Sequence, residues 1–489
     1  MTKTAPIPRL VRRAILLLAL AVVTILALRA WDARRGMPLE RWHTFVPREL
    51  SEDELDRADW PAYLQAEERV LASVRDQVTA RTESPEPDRL NRYASESPVD
   101  PFHFAHDWNR SFVLEPDAAP AGAVVLLHGL TDSPYSQRHL ARLYREHGFV
   151  AIAIRLPGHG TVPGGLTGID WEDWLAATRL AVREARRRVG PSLPLHVVGY
   201  SNGGALAVKY ALDALDDAAL PRPDRVVLLS PMIGVTRFAR FAGLAAVPAL
   251  LPAFASAAWL SITPEFNPFK YNSFPVNGAT QSHRLTEELQ KQIVRDAAAG
   301  RLAGMPPVLT FQSVLDFTVS TPALFEALYD RLPSNGSELV LFDVNRSSKF
   351  APLLSTAADT KLSRVLPAAP RRYRTAIVTS AGPASAEVVE IATAAGAVDE
   401  QRRPLGMTYP AEVYSLSHIA IPFPISDGLY GLAPDPDDDF GIRLGTLAAH
   451  GEVGGLVLNM NAMLRMSSNP FFPYVLERIA AGIGDPPHD

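Results

Sequence analysis

Cysteine is absent from the 489 residues of this chain. Its absence excludes disulfides, thiolate nucleophiles, iron–sulfur clusters and cysteine-ligated zinc. An excess of charge of one sign is also missing, because 48 basic and 53 acidic side chains leave a net charge of −5. This balance argues against a nucleic-acid partner, since such proteins usually carry a basic surplus on one face. The remaining composition, 47% hydrophobic and 21% charged, is that of a globular protein with one large core and additions.

Long hydrophobic runs are scarce, and the most prominent one covers residues 14–28. As a helix rising ~1.5 Å per residue it spans roughly 22 Å, and it approaches the ~30 Å of a bilayer core if it extends to Trp31. We predict that residues 1–35 form an uncleaved signal anchor, with a cleaved signal peptide or a buried helix as alternatives. Basic residues before the run direct that end to the cytoplasm, so the body is expected on the periplasmic or extracellular side. Cleavage would instead release a secreted protein.

Alternating patterns organise the rest of the chain. Charged, amphipathic sequence predicts an N-terminal helical extension over residues 36–118, followed by one domain over residues 119–489. Short apolar, β-branched runs in this domain occupy 123–127, 150–154, 195–198, 226–229, 308–311 and 339–342. Such runs are typical of strands buried on both faces. Their alternation with helical patterns predicts an α/β fold with a mainly parallel sheet flanked by helices.

The segment at 199–204, GYSNGG, matches the pattern G-x-S-x-G and lies between a predicted strand and a predicted helix. A serine on a sharp strand-to-helix turn needs neighbours without a Cβ, because the chain otherwise collides with itself. The turn also directs the helix N-terminus toward the reacting centre. The sequence therefore predicts Ser201 as a nucleophile, the alternative being an ordinary tight turn.

A second loop, His128-Gly129-Leu130, follows the first strand of the alternating region. An oxyanion needs two convergent donors, one from the residue after the nucleophile and one from a loop after an earlier strand. The predicted donors are the backbone N–H groups of Asn202 and Leu130. We interpret His128 as a structural histidine that supports this loop.

Four motifs together resemble the α/β-hydrolase superfamily: the HG pair at 128–129, the RLPGHG loop at 155–160, the serine turn and the LSP sequence at 229–231. They are most similar to the monoacylglycerol lipases and lysophospholipases, which share the P-G-H-G loop and a lid. The resemblance is close over residues 121–235 and looser beyond them. It implies a serine esterase with a triad in the order serine, acid, histidine, and with no metal or cofactor.

The acid of such a triad follows a late strand. Asp316 comes after the run at 308–311, about 115 residues beyond Ser201. An aspartate there accepts the imidazole N–H and stabilises the imidazolium. Asp343, at the end of the next predicted strand, is the alternative.

The base is selected by chain order, which disfavours the histidines that precede the serine turn. His418 follows a strand predicted at 412–416, and the loop after that strand is expected to reach the serine. His450, in a glycine-bearing loop, is the alternative. The predicted triad is therefore Ser201, His418 and Asp316.

Two insertions interrupt the alternating pattern. Residues 232–306 are predicted to form a helical lid. Its apolar residues between 238 and 260 either pack within the lid, line an acyl pocket or touch a bilayer. Residues 345–410 are predicted to contain an extra strand at 375–378 and a helix at 384–395, which either extend the sheet or cover its edge.

These features predict a membrane-tethered serine hydrolase that cleaves carboxylic esters. The resemblance points to monoacylglycerol-like or lysophospholipid-like substrates, although a fold alone does not specify a function. An acyltransferase or peptidase using the same triad, or a non-catalytic member that binds a ligand, are the alternatives. No nucleic-acid partner is expected, and the sequence makes no prediction about oligomeric state.

Overall fold

A central sheet organises the molecule. The computed structural model describes residues 9–82, 90–234, 247–382, 385–447 and 460–484. Strands β1 to β12 within these residues are Phe112–Leu114, Gly122–Leu127, Phe149–Ile154, Leu195–Tyr200, Arg225–Leu229, Trp259–Ser261, Phe274–Pro275, Val308–Ser313, Glu338–Phe342, Arg374–Ser380, Glu387–Thr393 and Glu400–Thr408. Ten of them form one sheet in the order β1-β3-β2-β4-β5-β8-β9-β10-β11-β12. The strands from β3 to β10 in that order are parallel, which confirms the predicted mainly parallel α/β sheet.

Helices cover both faces of this sheet. Helices α1 to α13 are Arg9–Arg35, Arg41–Thr44, Glu52–Arg57, Trp60–Gln77, Arg138–Glu146, Trp171–Val189, Asn202–Asp216, Val276–Ala298, Thr321–Ala323, Thr356–Asp359, Lys361–Val365, Met460–Arg465 and Phe472–Ala481. Successive side chains of a strand point to opposite faces. Val125 of β2 therefore lies in the core formed with α6, α7 and α8, whereas its neighbour Val124 lies in the core formed with α5 and α13.

The N-terminal segments have two different surroundings. Leu55, Trp60 and Tyr63 of the extension are buried in the main core, so this part of the chain packs on the body. Helix α1 contains a 22-residue stretch, Leu10–Trp31, with a mean hydropathy of 2.4 and none of it buried. By length and composition this stretch is sufficient to cross a membrane.

The insertion before His418 extends the sheet. Strand β10 adds parallel to β9, and β11 and β12 add antiparallel beyond it. The helix predicted over 384–395 is wrong, because Glu387–Thr393 is a strand. Buried Val388 and Val389 of this segment are β-branched, and such side chains pack well between neighbouring strands.

The strand predicted at 412–416 is also wrong, because residues 411–415 form a turn and a bend. The carbonyl groups of this segment accept hydrogen bonds from other loops, chiefly from Asn345, instead of from a neighbouring strand. The Asn345 amide donates to the carbonyls of Pro410 and Val413 at 3.0 and 2.9 Å. The backbone N–H of Asn345 donates to the carbonyl of Tyr414 at 2.8 Å. Asparagine often stabilises irregular backbone in this way.

The predicted lid region, residues 232–306, lies between β5 and β8 in the chain, and its residues 235–246 fall outside the described part. The described part contains the short antiparallel pair β6–β7 and the long helix α8. Leu251 and Leu260 are 61% and 40% exposed, whereas Trp259 is buried. That this region acts as a lid stays a prediction.

Candidate active site

Ser201 occupies a strained turn between β4 and α7. Its φ and ψ are 55° and −114°, a conformation that is costly for a residue with a side chain. A Cβ built on Gly199 or Gly203 would lie 2.2 Å from a backbone carbonyl oxygen, so both positions need glycine. Backbone hydrogen bonds maintain the turn, since Ser201 N–H donates to Leu229 at 3.0 Å and Met232 N–H donates to Ser201 at 2.9 Å.

His418 and Asp316 form a buried pair. His418 Nδ1 lies 2.8 Å from Asp316 Oδ2. The other oxygen, Oδ1, accepts the backbone N–H groups of Thr318 and Val319 at 2.8 and 3.1 Å. Gln312 Nε2 donates to Oδ2 at 3.1 Å. Burial alone would raise the pKa of Asp316, but His418 and these hydrogen bonds bring the pKa below its ordinary value.

An ionised Asp316 determines which nitrogen of His418 carries the proton. With the carboxylate accepting at Nδ1, the lone pair of the ring remains on Nε2. His418 and Ser201 line the same cavity, although Ser201 Oγ makes no hydrogen bond within the described residues. Catalytic hydrogen bonds often form only once substrate is bound. The assignment of these residues as a triad therefore stays a prediction.

Distant residues hold the loop that carries His418. Ser313 Oγ, at the end of β8, donates to the carbonyl of Leu416 at 2.8 Å. The hydroxyl of Tyr200, the residue before Ser201, donates to the carbonyl of His418 at 3.4 Å, and the Tyr200 and His418 rings lie 5.5 Å apart. These contacts position the imidazole although no strand precedes it.

The two predicted oxyanion donors lie in suitable places. Leu130 lines the cavity, and Asn202 is the first residue of α7, so its N–H has no acceptor within the helix. Neither N–H group donates a hydrogen bond within the described residues. Behind them, buried His128 accepts the N–H of Leu156 at 3.0 Å through Nε2. Burial brings the pKa of His128 well below its ordinary value, consistent with a neutral, supporting histidine.

The alternative residues have other surroundings. Asp343 accepts a hydrogen bond from Thr379 Oγ1 at 3.0 Å and forms an ion pair with Arg346 at 2.5 Å. Asp343 is not among the residues that line the cavity with Ser201. His450 lies outside the described residues.

The cavity has a volume of about 440 Å³ and a mixed lining. Met232, Phe274 and Ile419 contribute apolar surface. None of the apolar residues at 247–260 lines it within the described part of the chain. Two cationic side chains, Lys270 and Arg465, also line the cavity, and sequence reasoning missed both. Each belongs to a segment without a recognisable motif, so no local pattern indicates its place.

Comparison with known families agrees with this geometry. A family model described as serine aminopeptidase, S33, matches residues 118–345. The chain therefore has the fold of the α/β hydrolases.

The chain is similar to monoacylglycerol lipases over part of its length. It is 34% identical over 92 residues to a thermostable monoacylglycerol lipase of Bacillus sp., covering 19% of this chain and 35% of that protein. It is 31% identical over 99 residues to a monoacylglycerol lipase of Mycolicibacterium smegmatis, covering 20% and 35%. The alignments thus span about a third of the length of these relatives. A solved metagenome-derived lipolytic enzyme is 20% identical, with a TM-score of 0.38, covering 48% of this chain and 88% of that chain.

Proposed function

We propose that this α/β hydrolase is a membrane-tethered serine esterase that cleaves carboxylic esters derived from lipids. The observation that carries the proposal is the shared cavity. It joins a serine on a strained turn to a histidine whose Nδ1 lies 2.8 Å from a buried aspartate. This combination supplies a nucleophile, a base and a group that orients the base.

In the proposed reaction, Ser201 attacks the ester carbonyl while His418 Nε2 accepts its proton. Asp316 holds the imidazole and stabilises its charged form. The N–H groups of Leu130 and Asn202 bind the negative oxygen of the tetrahedral intermediate, where one donor is typically worth ~3–4 kcal/mol. His418 then protonates the leaving alcohol, and water releases the acyl group by the reverse sequence of proton transfers.

Lipid-derived substrates are favoured by two findings. The monoacylglycerol lipases that resemble this chain act, by their names, on monoacylglycerols. The cavity presents apolar side chains beside Ser201, as an acyl chain requires. A monoacylglycerol-like or lysophospholipid-like ester agrees with both of these findings.

Membrane attachment is proposed through helix α1. Its apolar stretch Leu10–Trp31 is exposed in the protein and needs an apolar environment. We expect its N-terminal end in the cytoplasm and the hydrolase body outside it, with secretion after cleavage as the alternative. Washing with alkaline carbonate should leave the full chain in the membrane fraction. Protease added to intact spheroplasts should digest the body of the protein. A body that stays protected would contradict this orientation.

The central experiment combines covalent labelling with turnover. A fluorophosphonate probe should label the full chain, and short-chain and long-chain monoacylglycerols should be hydrolysed. Ser201→Ala should abolish both, because no other nucleophile replaces the hydroxyl. Ser363→Ala, which changes a surface serine, is the matched control and should change neither. Full turnover by Ser201→Ala would reject the mechanism.

A peptidase on the same triad is the second candidate, because the matching family model carries the description of an aminopeptidase. Product analysis separates the candidates. Cleavage of aminoacyl amides with negligible ester hydrolysis would favour the peptidase, and transfer of the acyl group to an added alcohol would favour an acyltransferase. An unlabelled Ser201 would indicate a ligand-binding protein without activity.

A further inference from the structure

The cavity beside Ser201 has a one-sided charge. Lys270 and Arg465 line it, whereas no aspartate or glutamate of the described residues does. Two cations in a partly enclosed cavity repel each other, and the low local polarity strengthens that repulsion. The triad mechanism uses neither of them, so their convergence requires a separate explanation.

Lys270 is held at a defined position in the loop between β6 and β7. Its backbone N–H donates to Asn267 Oδ1 at 3.1 Å. The next residue, Tyr271, is tied to the body by its N–H, which donates to Thr131 at 2.7 Å, and by its hydroxyl, which donates to Gly158 at 3.0 Å. Within the described residues the Lys270 ammonium forms no hydrogen bond or salt bridge. A fixed backbone therefore presents an unpaired ammonium group to the cavity.

Arg465 reaches the cavity from the other side, at the end of α12. Its guanidinium donates to Thr318 Oγ1, two residues after Asp316. Its backbone carbonyl accepts a hydrogen bond from Ser417 Oγ at 2.8 Å, one residue before His418. Arg465 is therefore placed beside both predicted partners of the nucleophile.

A neighbouring buried carboxylate, that of Asp132, opposes this charge without lining the cavity. Asp132 is 4% exposed, and its carboxylate accepts the N–H of Gly129 at 3.4 Å behind the cavity wall. Burial raises the pKa of Asp132. Burial also lowers the pKa of Lys270; Asp132 opposes this effect and Arg465 adds to it. An anion bound between the two cations would relieve their repulsion.

We infer that Lys270 and Arg465 form an anion subsite, so that the preferred substrate is an ester carrying a phosphate or carboxylate group. The inference rests on the proposed function, because it assumes that the ester group itself reaches Ser201. It narrows the class of substrate, since a neutral monoacylglycerol would give neither cation an anionic partner within the cavity.

Binding tests the subsite separately from catalysis. The full-length Ser201→Ala chain in non-ionic detergent is titrated calorimetrically with three ligands: monohexanoylglycerol, its phosphate ester, and the hexanoyl ester of glyceric acid. An anionic ligand should bind roughly tenfold tighter than the neutral one, as charge-assisted hydrogen bonds imply. The advantage should shrink as salt is added. The anionic ligand that binds more tightly shows whether the subsite prefers a phosphate or a carboxylate group.

Variants of Lys270 decide whether the subsite is responsible. In the Ser201→Ala chain, adding Lys270→Met should remove most of the difference in affinity between the anionic and the neutral ligands. Adding Lys270→Arg should retain this difference. Lys291→Met, on the exposed face of α8, is the control and should leave the ratio unchanged. Equal binding of neutral and anionic ligands, or an advantage that survives Lys270→Met, would overturn the inference. Failure of the proposed function would appear instead as absent turnover by the chain with Ser201 intact.

Discussion

The choice between Asp316 and Asp343 as the acid of the triad depends on the contacts of single side chains. Asp316 contacts His418, whereas Asp343 is occupied by Thr379 and Arg346. Asp316→Asn should lower kcat roughly ten-thousand-fold, because the amide favours the wrong imidazole tautomer and removes the charge that stabilises the imidazolium. Steady-state hydrolysis of a monoacylglycerol measures this effect.

Asp343→Asn is the matched control for that measurement. Its kcat per folded molecule should stay within a few-fold of the unchanged protein, with the folded fraction taken from circular dichroism. An equal loss in both variants would contradict the assignment of Asp316.

The glycines of the serine turn make a second prediction at this scale. A Cβ at Gly203 would lie 2.2 Å from the carbonyl oxygen of Leu127, so Gly203→Ala must displace backbone. We expect a loss of more than about 2 kcal/mol in unfolding free energy, at the upper end of overpacking effects. Gly382→Ala is the control, since nothing lies within 4 Å of its added Cβ. Urea unfolding compares the two, and equal stability would show that the turn tolerates a side chain.

How far a sequence predicts a site depends on whether its signal is local. The pattern around Ser201 is contiguous, so the turn is recognisable without the fold. The prediction of His418 depended on a strand at 412–416 that does not exist; Ser313, 103 residues before Leu416, holds the loop instead. Lys270 and Arg465 meet only through the tertiary fold. No spacing along the chain indicates their proximity.

Among the elements, the strands with a continuous apolar pattern in their own sequence were predictable. The parallel strands β2 to β5 are apolar on both faces, because helices cover both sides. The segment 384–395 has a weaker pattern, and its strand depends on pairing with β10 and β12. Strand preference of this kind reflects packing against neighbours, which the local sequence does not contain.

Helix α2, which links the extension to the predicted lid region, should make the stability of the protein depend on pH. His43 Nδ1 accepts the N–H of Glu40 at 2.9 Å, and its Nε2 contacts Ser273 Oγ at 3.0 Å. Burial lowers the pKa of His43 from 6.5 to about 4. His43 therefore becomes protonated near pH 6.5 in the unfolded chain, but only near pH 4 in the folded chain.

Stability should consequently fall as the pH drops between these two values. The contribution of His43 is at most about 1.4 kcal/mol per pH unit. Urea unfolding at pH 7 and pH 5 measures the change, and His43→Gln, which cannot titrate, should make it smaller. An identical change in both proteins would show that folding does not lower the pKa of His43.

At the scale of the whole molecule, a buried ion network joins the extension to the body that contains the central sheet. Arg155, which begins the RLPGHG loop, lies 2.7 Å from Glu49 and 3.2 Å from Glu67. Both carboxylates come from the extension, and all three side chains are almost completely buried. Glu49 also accepts the N–H of Gly158 at 3.0 Å. The extension therefore completes the packing of a loop that lies close to the cavity beside Ser201.

Removing one charge of this network should destabilise the whole protein. Glu49→Gln leaves Arg155 buried with one carboxylate fewer, and breaking such a pair typically lowers the unfolding free energy by ~3 kcal/mol. Glu68→Gln is the matched control, because Glu68 is 55% exposed and forms its ion pair with Arg110 at the surface. Exposed pairs contribute at most about 1 kcal/mol. In thermal unfolding of the full chain, the midpoint temperature of Glu49→Gln should lie well below that of Glu68→Gln. Equal midpoints would mean that the extension docks without the help of this network.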